Sequence, residues 1–342
     1  MKEKAGRVTI HDVAALAQVS IATVSRVMHG TYYVNPEICD RVRKAIDELA
    51  YVPDSNARSM KFKYRYMIGY LVSDISNRHF TAVGRAIEDV IGPAGYSLIV
   101  CSNDSMESKE RENLRALLSH RIDGLIINTS GKNDEYISRI ASTMPVVLLH
   151  RRITASNVLG DFVGSDDYTG GALLAEQLLG CGHRILGLIS SDLSISTFRD
   201  RTAGFLDKLA EHGLTLPSTH RIQENYTQEG GYTAMKALLQ NAPDITALAL
   251  INNAMALGAY TYLAERGISI PDELSIISFG DIENSSLFFV KPVFISQKPA
   301  LIGKAAASLI LDRIQEPGLR PRTEIIATEL EPGASVRDIA GS

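Results

Sequence analysis

Apolar residues recur at helical spacing in three short stretches near the start of the chain. They are Val13, Leu16 and Ala17, then Val24 and Val27, and last Ile38, Val42, Ile46 and Leu49. Spacing of this kind places the side chains on one face of an α-helix. The pattern therefore predicts three helices within the first 52 residues.

Each predicted helix follows residue types that favour helix N-termini. Thr9 precedes the first helix, with Asp12 three residues later, a pairing like a capping box. Ser20 precedes the second helix, and Asn35 and Pro36 open the third. Two short helices joined by a tight turn and covered by a third form a helix-turn-helix unit, whose second helix enters the DNA major groove. A three-helix bundle that serves only stability or dimerisation is the alternative.

From Tyr66 onward, short apolar runs alternate with helix-compatible segments. The runs are residues 67–72, 98–101, 125–128, 146–149, 185–189, 247–251 and 274–279. The helical segments include residues 109–120, 172–179, 201–211 and 255–266. This alternation predicts doubly wound parallel sheets, and the remaining length fits two such units. Ligands of open α/β sheets bind beyond the carboxyl ends of the strands, so we expect a site in the loops that follow the runs.

Composition narrows the class of protein. The chain has 342 residues, of which 45% are hydrophobic and 22% charged, as in soluble proteins of two or three domains. No apolar run approaches the roughly 20 residues that span a membrane, and the first ten residues lack the apolar core of a signal peptide. Cys39, Cys101 and Cys181 are scattered and lack metal-ligand spacing. We expect a cytoplasmic protein with no cofactor, no metal site and no membrane contact.

Charge is distributed unevenly along the chain. Residues 1–65 hold 11 Lys and Arg against 7 Asp and Glu, whereas the rest holds 24 against 32. A basic head on an acidic body indicates that the head alone meets a polyanion such as DNA. An ordinary solvated surface is the alternative explanation for so small an excess.

The strings VTIHDVAALAQVSIATVSRVMHG and VNPEICDRVRKAIDELAYVPDSNARSM closely resemble the LacI/GalR family of bacterial repressors. The resemblance covers nearly the whole chain and sets the simple bundle aside. It implies a small all-α helix-turn-helix head over residues 1–52, a hinge over 53–65, and an α/β periplasmic-binding-protein-like core over 66–342. The core would have two Rossmann-like lobes around a ligand. Lobe 1 would hold residues of about 66–164 and 297–324, and lobe 2 about 165–296 and 325–342.

The resemblance also implies which residues contact DNA. The candidates in the head are Thr9, Ser20, Ile21, Ala22, Thr23, Ser25, Arg26 and His29. Ile21 and Ala22 take the positions that choose operator bases, so they would read thymine methyl groups or DNA shape. Arg26 takes the position of a base contact, and Thr23 and Ser25 those of phosphate or base-edge contacts.

Two positions in the head depart from the family pattern. His29 stands where the family usually has Asn, which puts one backbone contact in doubt. Gln18 stands where Gly is frequent. The turn before the second helix therefore requires a non-glycine residue to adopt a positive φ.

The segment of residues 53–65 resembles the family's hinge helix, which folds on operator DNA. Its candidate DNA contacts are Asn56, Ala57, Arg58 and Met60. Met60 takes the place of the usual Leu that inserts into the minor groove, and Met is an acceptable wedge. A flexible tether is the alternative.

The candidate ligand residues follow the predicted strands. They are Asn77, His79, Phe80, His150, Arg151, Arg201, Tyr226, Asn252 and Asp281. Arg201, in RTAGF, matches the family arginine that holds ligand hydroxyls or carboxylates. Asn252 matches a polar ligand contact, and Tyr226 matches a residue that lines the cleft. Asn77 and Phe80 match the loop after the first strand.

Two departures from the family pattern remove negative charge from the expected cleft. Gly280 stands where the family has a hydroxyl-binding acid, with Asp281 one place later, and His150 stands where an Asp commonly closes the fourth strand. Guanidinium groups pair well with carboxylate or phosphate, so Arg151 and Arg201 favour an anionic effector such as a sugar acid or sugar phosphate. A neutral sugar is the rival, followed by a nucleoside-like ligand. Surface solvation or an interlobe salt bridge is the plainer interpretation of His150.

The motifs of common enzymes are missing from the sequence. We find no G-x-S-x-G elbow, P-loop or H-E-x-x-H, and His183 lies in a turn of structural character. A periplasmic transport receptor would share the body but need an export signal and lack the head. We therefore expect a non-enzymatic regulator that binds a palindromic operator as a homodimer and responds to a small effector. The tail after Glu331 is too short and polar for a tetramerising helix.

Overall fold

The structure is a computed structural model that describes residues 8–29, 32–51, 64–153 and 159–341. The chain divides into two compact units, Met1–Arg65 and Tyr66–Ser342. None of the helices in those ranges is long and apolar enough to cross a bilayer.

The first unit contains three helices: α1 (Ile10–Ala17), α2 (Ile21–His29) and α3 (Pro36–Glu48). Their core is small, with Val13, Val24 and Val42 fully buried. Leu16 was expected in this core but is 45% exposed, because the inward face of α1 is formed by Val13, Ala14 and Ala17. The turn before α2 passes through Gln18 at φ 52°, the positive value that its position required.

The second unit alternates strands and helices. Its strands are β1 (Met67–Val72), β2 (Ser97–Ser102), β3 (Gly124–Ile127), β4 (Val146–Leu149), β5 (Asp161–Ser165), β6 (Leu186–Ser190), β7 (Arg221–Gln223), β8 (Ala247–Leu250), β9 (Ser275–Phe279), β10 (Val293–Ser296), β11 (Thr323–Ile326) and β12 (Glu329–Glu331). Its helices are α4 (Arg78–Ile91), α5 (Glu107–Ser119), α6 (Asp134–Ala141), α7 (Asp167–Gly180), α8 (Ser196–Glu211), α9 (Gln228–Asn241), α10 (Asn253–Arg266) and α11 (Pro299–Gln315). Short all-apolar strands such as β3 and β4 are buried along their whole length, since helices cover both faces of a parallel sheet.

Two six-stranded sheets form two lobes. The first has the order β11-β5-β4-β3-β1-β2 and is parallel throughout, and the second has the order β12-β10-β9-β8-β6-β7 with only β12 antiparallel. The chain leaves the first sheet after β5, returns after β10, and leaves again after β11. Because β11 pairs with β5 as far as Ile326, the last crossing lies slightly beyond the expected Glu324. Three crossings between two lobes place the carboxyl ends of both sheets around one cleft.

Candidate functional site

The exposed face of α2 carries the residues expected to read DNA bases. Ile21, Ala22 and Arg26 are exposed, whereas Val24 is fully buried between the helices of the head. The Arg26 guanidinium lies 5.8 Å from the centre of the Tyr32 ring, which is itself 73% exposed. The face therefore offers two apolar side chains and one stacked guanidinium, a set that can enter a major groove.

Three hydroxyl groups near this face form hydrogen bonds at the starts of helices α1 and α2. The Thr9 amide and hydroxyl each donate to the Asp12 carboxylate at 2.7 Å, and these hydrogen bonds hold the pKa of Asp12 below its usual value. The Thr23 amide donates to Ser20 Oγ at 3.2 Å, and the two hydroxyls are 2.9 Å apart. DNA contacts by Thr9, Ser20 and Thr23 would thus share atoms that already stabilise α1 and α2. Ser25 is half-buried.

Part of the predicted DNA interface lies outside the described residues. This holds for the side chain of His29 and for the hinge residues Asn56, Ala57, Arg58 and Met60. Their contacts stay predictions from the sequence.

A cleft of about 420 Å³ lies between the two lobes of the second unit. Its lining includes all but one of the predicted ligand residues, namely Asn77, His79, Phe80, His150, Arg151, Arg201, Tyr226 and Asn252. These residues follow different strands, and the topology brings them together where the strands end. The exposed carboxylates of Asp74, Asp104 and Glu283 also line the cleft.

Asp281 is the predicted ligand residue that does not line the cleft. Gly280, at φ 89°, turns the chain directly after β9, and Asp281 belongs to the loop that follows. Its carboxylate accepts from Ser285 Oγ at 2.8 Å and lies 3.6 Å from Arg78 Nη1. Asp281 therefore neutralises an exposed arginine of the other lobe.

Arg201 is held in the floor of the cleft by groups of the protein itself. Its side chain is only 5% exposed, and Nε donates to Asp167 Oδ1 at 2.8 Å while Nη1 donates to the Ile251 carbonyl at 2.9 Å. The guanidinium also lies 3.7 Å from the centre of the Phe279 ring. Burial raises the pKa of Asp167, and its ion pair with Arg201 opposes that shift. The positive charge of Arg201 is thus balanced before any ligand binds.

His79 and His150 form a pair of neighbouring imidazoles. Their Nε2 atoms are 2.9 Å apart, so one ring donates and the other must accept, and the accepting ring is neutral. Burial, helped by the charge of Arg201, lowers the pKa of His79 to about 3. Burial and the neighbouring His79 and arginines also hold the pKa of His150 well below its usual range. The pair supplies polar contacts at neutral pH and adds no positive charge.

This pair makes stability depend on pH. Unfolded imidazoles titrate near pH 6.5, whereas the folded rings stay neutral down to about pH 3 for His79. Below about pH 6.5 each imidazole binds a proton in the unfolded state but not in the folded state. The free energy of unfolding therefore decreases by up to about 1.4 kcal/mol per pH unit for each ring. We expect a smaller decrease between pH 7 and 5 in the double variant His79→Gln, His150→Gln than in the parent, measured by urea unfolding. Equal slopes would contradict neutral buried rings.

Arg151 differs from the other arginines of the cleft. Its side chain is 7% exposed, Nη1 donates to the Thr129 carbonyl at 2.9 Å, and the guanidinium lies 5.4 Å from the centre of the Tyr226 ring. Arg78 and Arg201 each form an ion pair with a carboxylate. Within the described ranges, no carboxylate forms an ion pair with Arg151. Its buried charge is therefore the one that a ligand can balance.

Asparagines stand where two helices begin at the cleft. Asn77 Oδ1 accepts from the His79 amide at 3.0 Å and caps α4. Asn252 Oδ1 accepts from the amides of Ala254 and Met255 and caps α10. Asn77 and Asn253 also exchange two side-chain hydrogen bonds of 3.3 and 3.1 Å. Because β1 leads to Asn77 and β8 to Asn253, this amide pair joins the two lobes.

Several cleft residues were not singled out from the sequence. Gln297 follows β10, and its amide donates to Ser165 Oγ at 3.3 Å. The rule that ligands bind at the carboxyl ends of strands could have found it. The Phe198 ring lies 5.1 Å from the Tyr226 ring, tilted by 50°, in the first turn of α8, where the sequence had predicted a loop that lines the cleft. Asp167 lacked a signal, because a carboxylate at a helix start is usually an ordinary exposed residue.

Comparisons with known proteins cover both units. The family described as bacterial regulatory proteins, lacI family, matches residues 9–54, and that described as periplasmic binding proteins and sugar binding domain of LacI family matches residues 65–331. A ribose operon repressor of Haemophilus influenzae is 30% identical over 96% of this chain and 98% of its own length. The transcriptional repressor PurR of the same species (strain PittEE) is 32% identical over 97% of this chain and 99% of its own length.

A solved structure shares the fold. The lac repressor dimer bound to operator and the anti-inducer ONPF superposes with a TM-score of 0.82 at 24% identity, over 97% of this chain and 100% of that one. The similar proteins are repressors and not enzymes, as was expected of this chain. From its two family matches and these full-length relatives, the chain belongs to the LacI family of DNA-binding transcriptional repressors.

Proposed function

We propose that this repressor controls a carbohydrate-utilisation operon and that its effector is an anionic sugar derivative, a sugar acid or a sugar phosphate. It binds a palindromic operator as a homodimer in the cytoplasm, with α2 of each copy in a major groove. The effector occupies the cleft between the lobes.

The observation that carries the choice of effector is the buried guanidinium of Arg151, which forms no ion pair with any carboxylate in the described part of the chain. An isolated buried guanidinium is costly, and a ligand carboxylate or phosphate would offset that cost with charge-assisted hydrogen bonds. Arg201 contributes less to the preference because Asp167 already neutralises it at 2.8 Å. Because both rings of the histidine pair are neutral, they can contact polar groups of a ligand but add no positive charge that attracts its anionic group.

The rest of the cleft suits a sugar ring. A volume of about 420 Å³ lies in the range of small-molecule sites. The amides of Asn252 and Gln297 can bond hydroxyls, and the rings of Phe80 and Tyr226 can pack on a sugar face. The relative named as a ribose operon repressor gives the carbohydrate class further support.

Control by the effector follows from its position between the lobes. A ligand that contacts both lobes changes the balance between their open and closed arrangements, and through the hinge it changes operator affinity. By linkage, operator DNA changes effector affinity by the same factor.

The test is a comparison of matched probes by thermal shift and calorimetry: ribose 5-phosphate with ribose, and glucose 6-phosphate and gluconate with glucose. We expect binding by at least one anion, stronger than that of its neutral partner. Arg151→Ala should lower the affinity for that anion by about 30-fold, or about 2 kcal/mol, whereas Arg152→Ala should leave it unchanged. Arg152 is the matched control because it is exposed and lies over Phe162 outside the cleft lining. Binding of neutral sugars alone, or indifference to Arg151→Ala, would overturn the anionic effector.

A further inference from the structure

We infer that Glu110 is a positioning residue for effector recognition: it fixes the loop whose Thr129 carbonyl holds the Arg151 guanidinium. The inference rests on the proposed function of Arg151 as the anion contact. Glu110 does not line the cleft. Its influence on the effector therefore passes through the loop of residues 128–133.

Glu110 is a fully buried carboxylate in the first turn of α5. Within the described residues it forms no ion pair. Five donors surround it instead: Asn103 Nδ2 at 3.0 Å, Thr129 Oγ1 at 3.3 Å, the Ser130 amide at 2.6 Å, Ser130 Oγ at 2.8 Å and Asn133 Nδ2 at 2.9 Å. Three of these donor residues lie in the loop after β3, so a single carboxylate determines the course of that loop.

The loop leads directly to Arg151. Thr129 uses its hydroxyl toward Glu110, at 3.3 Å, and its carbonyl toward Arg151 Nη1, at 2.9 Å. Next to it, Asn128 Nδ2 donates to the Leu149 carbonyl at 3.1 Å, which ties the loop to the end of β4 two residues before Arg151. The chain of contacts from Glu110 thus ends at the guanidinium that faces the cleft.

A purely structural carboxylate would not have this consequence. Asp161 is also fully buried and accepts several hydrogen bonds, yet it stands at the amino end of β5, and its partners Arg313 and Arg322 do not line the cleft. Loss of either carboxylate lowers stability, but only Glu110 should alter the affinity for an anion. The two residues form a matched pair for a test.

The test measures dissociation constants of Glu110→Gln, Thr129→Val and Asp161→Asn for the anionic and neutral probes named above, well below each melting temperature. Gln at 110 replaces an acceptor oxygen with an NH₂ group facing donors. We expect the dissociation constant of the anion that binds the parent to rise about tenfold, with its neutral partner changed less than about twofold. Thr129→Val, a milder change, should give about a threefold rise. Asp161→Asn should leave both constants unchanged.

A double variant separates positioning from general weakening. In an Arg151→Ala background, Glu110→Gln should cause no further loss of anion affinity, because Glu110 acts on the ligand only by positioning the Arg151 guanidinium. A parent that binds anions while Glu110→Gln loses only stability would overturn the inference and leave the proposed function standing. A parent that binds none of the anions would overturn both.

Discussion

Asp161→Asn should lower the free energy of unfolding by about 3–5 kcal/mol, the cost of leaving the buried Arg313 without its carboxylate. Arg313 contacts Asp161 with Nε at 3.1 Å and Nη2 at 2.5 Å, and the Arg322 amide donates to it at 2.7 Å. Both members of the Asp161–Arg313 pair are at least 95% buried. The carboxylate joins β5, α11 and the segment that enters β11, three parts of the first lobe that are distant in sequence.

Urea unfolding at neutral pH measures this effect. The matched control is Asp312→Asn, which removes an exposed partner of Arg322 at 2.8 Å and should cost less than about 1 kcal/mol. A loss below about 1 kcal/mol in Asp161→Asn would mean that water or a rearranged side chain replaces the carboxylate.

Gly171→Ala should destabilise the second lobe by about 3 kcal/mol or more. It should also lower the affinity for every effector, charged or neutral. A Cβ at position 171 would lie 2.0 Å from the Arg201 carbonyl oxygen, and one at Gly204 would lie 2.0 Å from that of Tyr168. Helices α7 and α8 therefore pack backbone to backbone, and an added methyl must force them apart. The same helices carry Asp167 and Arg201, so their separation disturbs the floor of the cleft.

Gly180→Ala is the control for this change. It lies at the carboxyl end of α7, and an added Cβ there would meet no described atom within 4 Å outside its own stretch of helix. Alanine there should be neutral or stabilising by up to about 1 kcal/mol. Melting temperatures and calorimetric affinities of both variants decide the matter. Gly171→Ala with unchanged stability and affinity would refute the close packing.

Much of the fold was readable from apolar runs. The strands β1 and β4 agree with the predicted runs, and β8 and β9 differ by one residue at one end. β5 was missed as a run because it begins with Asp161, whose charge is balanced only by Arg313 from a distant helix. β11 is largely exposed and β12 is only three residues long, so they lack an apolar signature. Pairing across the chain, not local pattern, forms these strands.

The sequence predicted which residues line the cleft but not which of them are charged or neutralised in the folded protein. Counting strand ends located most of the cleft. The sequence could not reveal that Asp167 neutralises Arg201, that the histidines are neutral, or that Glu110 lies behind Arg151. Asp167 and Arg201 are 34 residues apart and the two histidines 71, and Glu110 reaches Arg151 only through Thr129. His183 fits its structural interpretation: Nδ1 lies 2.9 Å from Thr246 Oγ1 and Nε2 lies 3.0 Å from the Arg337 carbonyl.

The amide pair of Asn77 and Asn253 gives the lobes a preference for closure before any effector arrives. Two such hydrogen bonds contribute about 1–3 kcal/mol, which corresponds to a bias of about one to two powers of ten toward the joined state. An effector then has less of the closing free energy to supply. If the proposed function holds, substitutions in these amides should change the effector concentration at which operator affinity changes, whereas substitution of Arg151 should change which ligand binds. The sensitivity of the response and the identity of its ligand would then depend on different side chains.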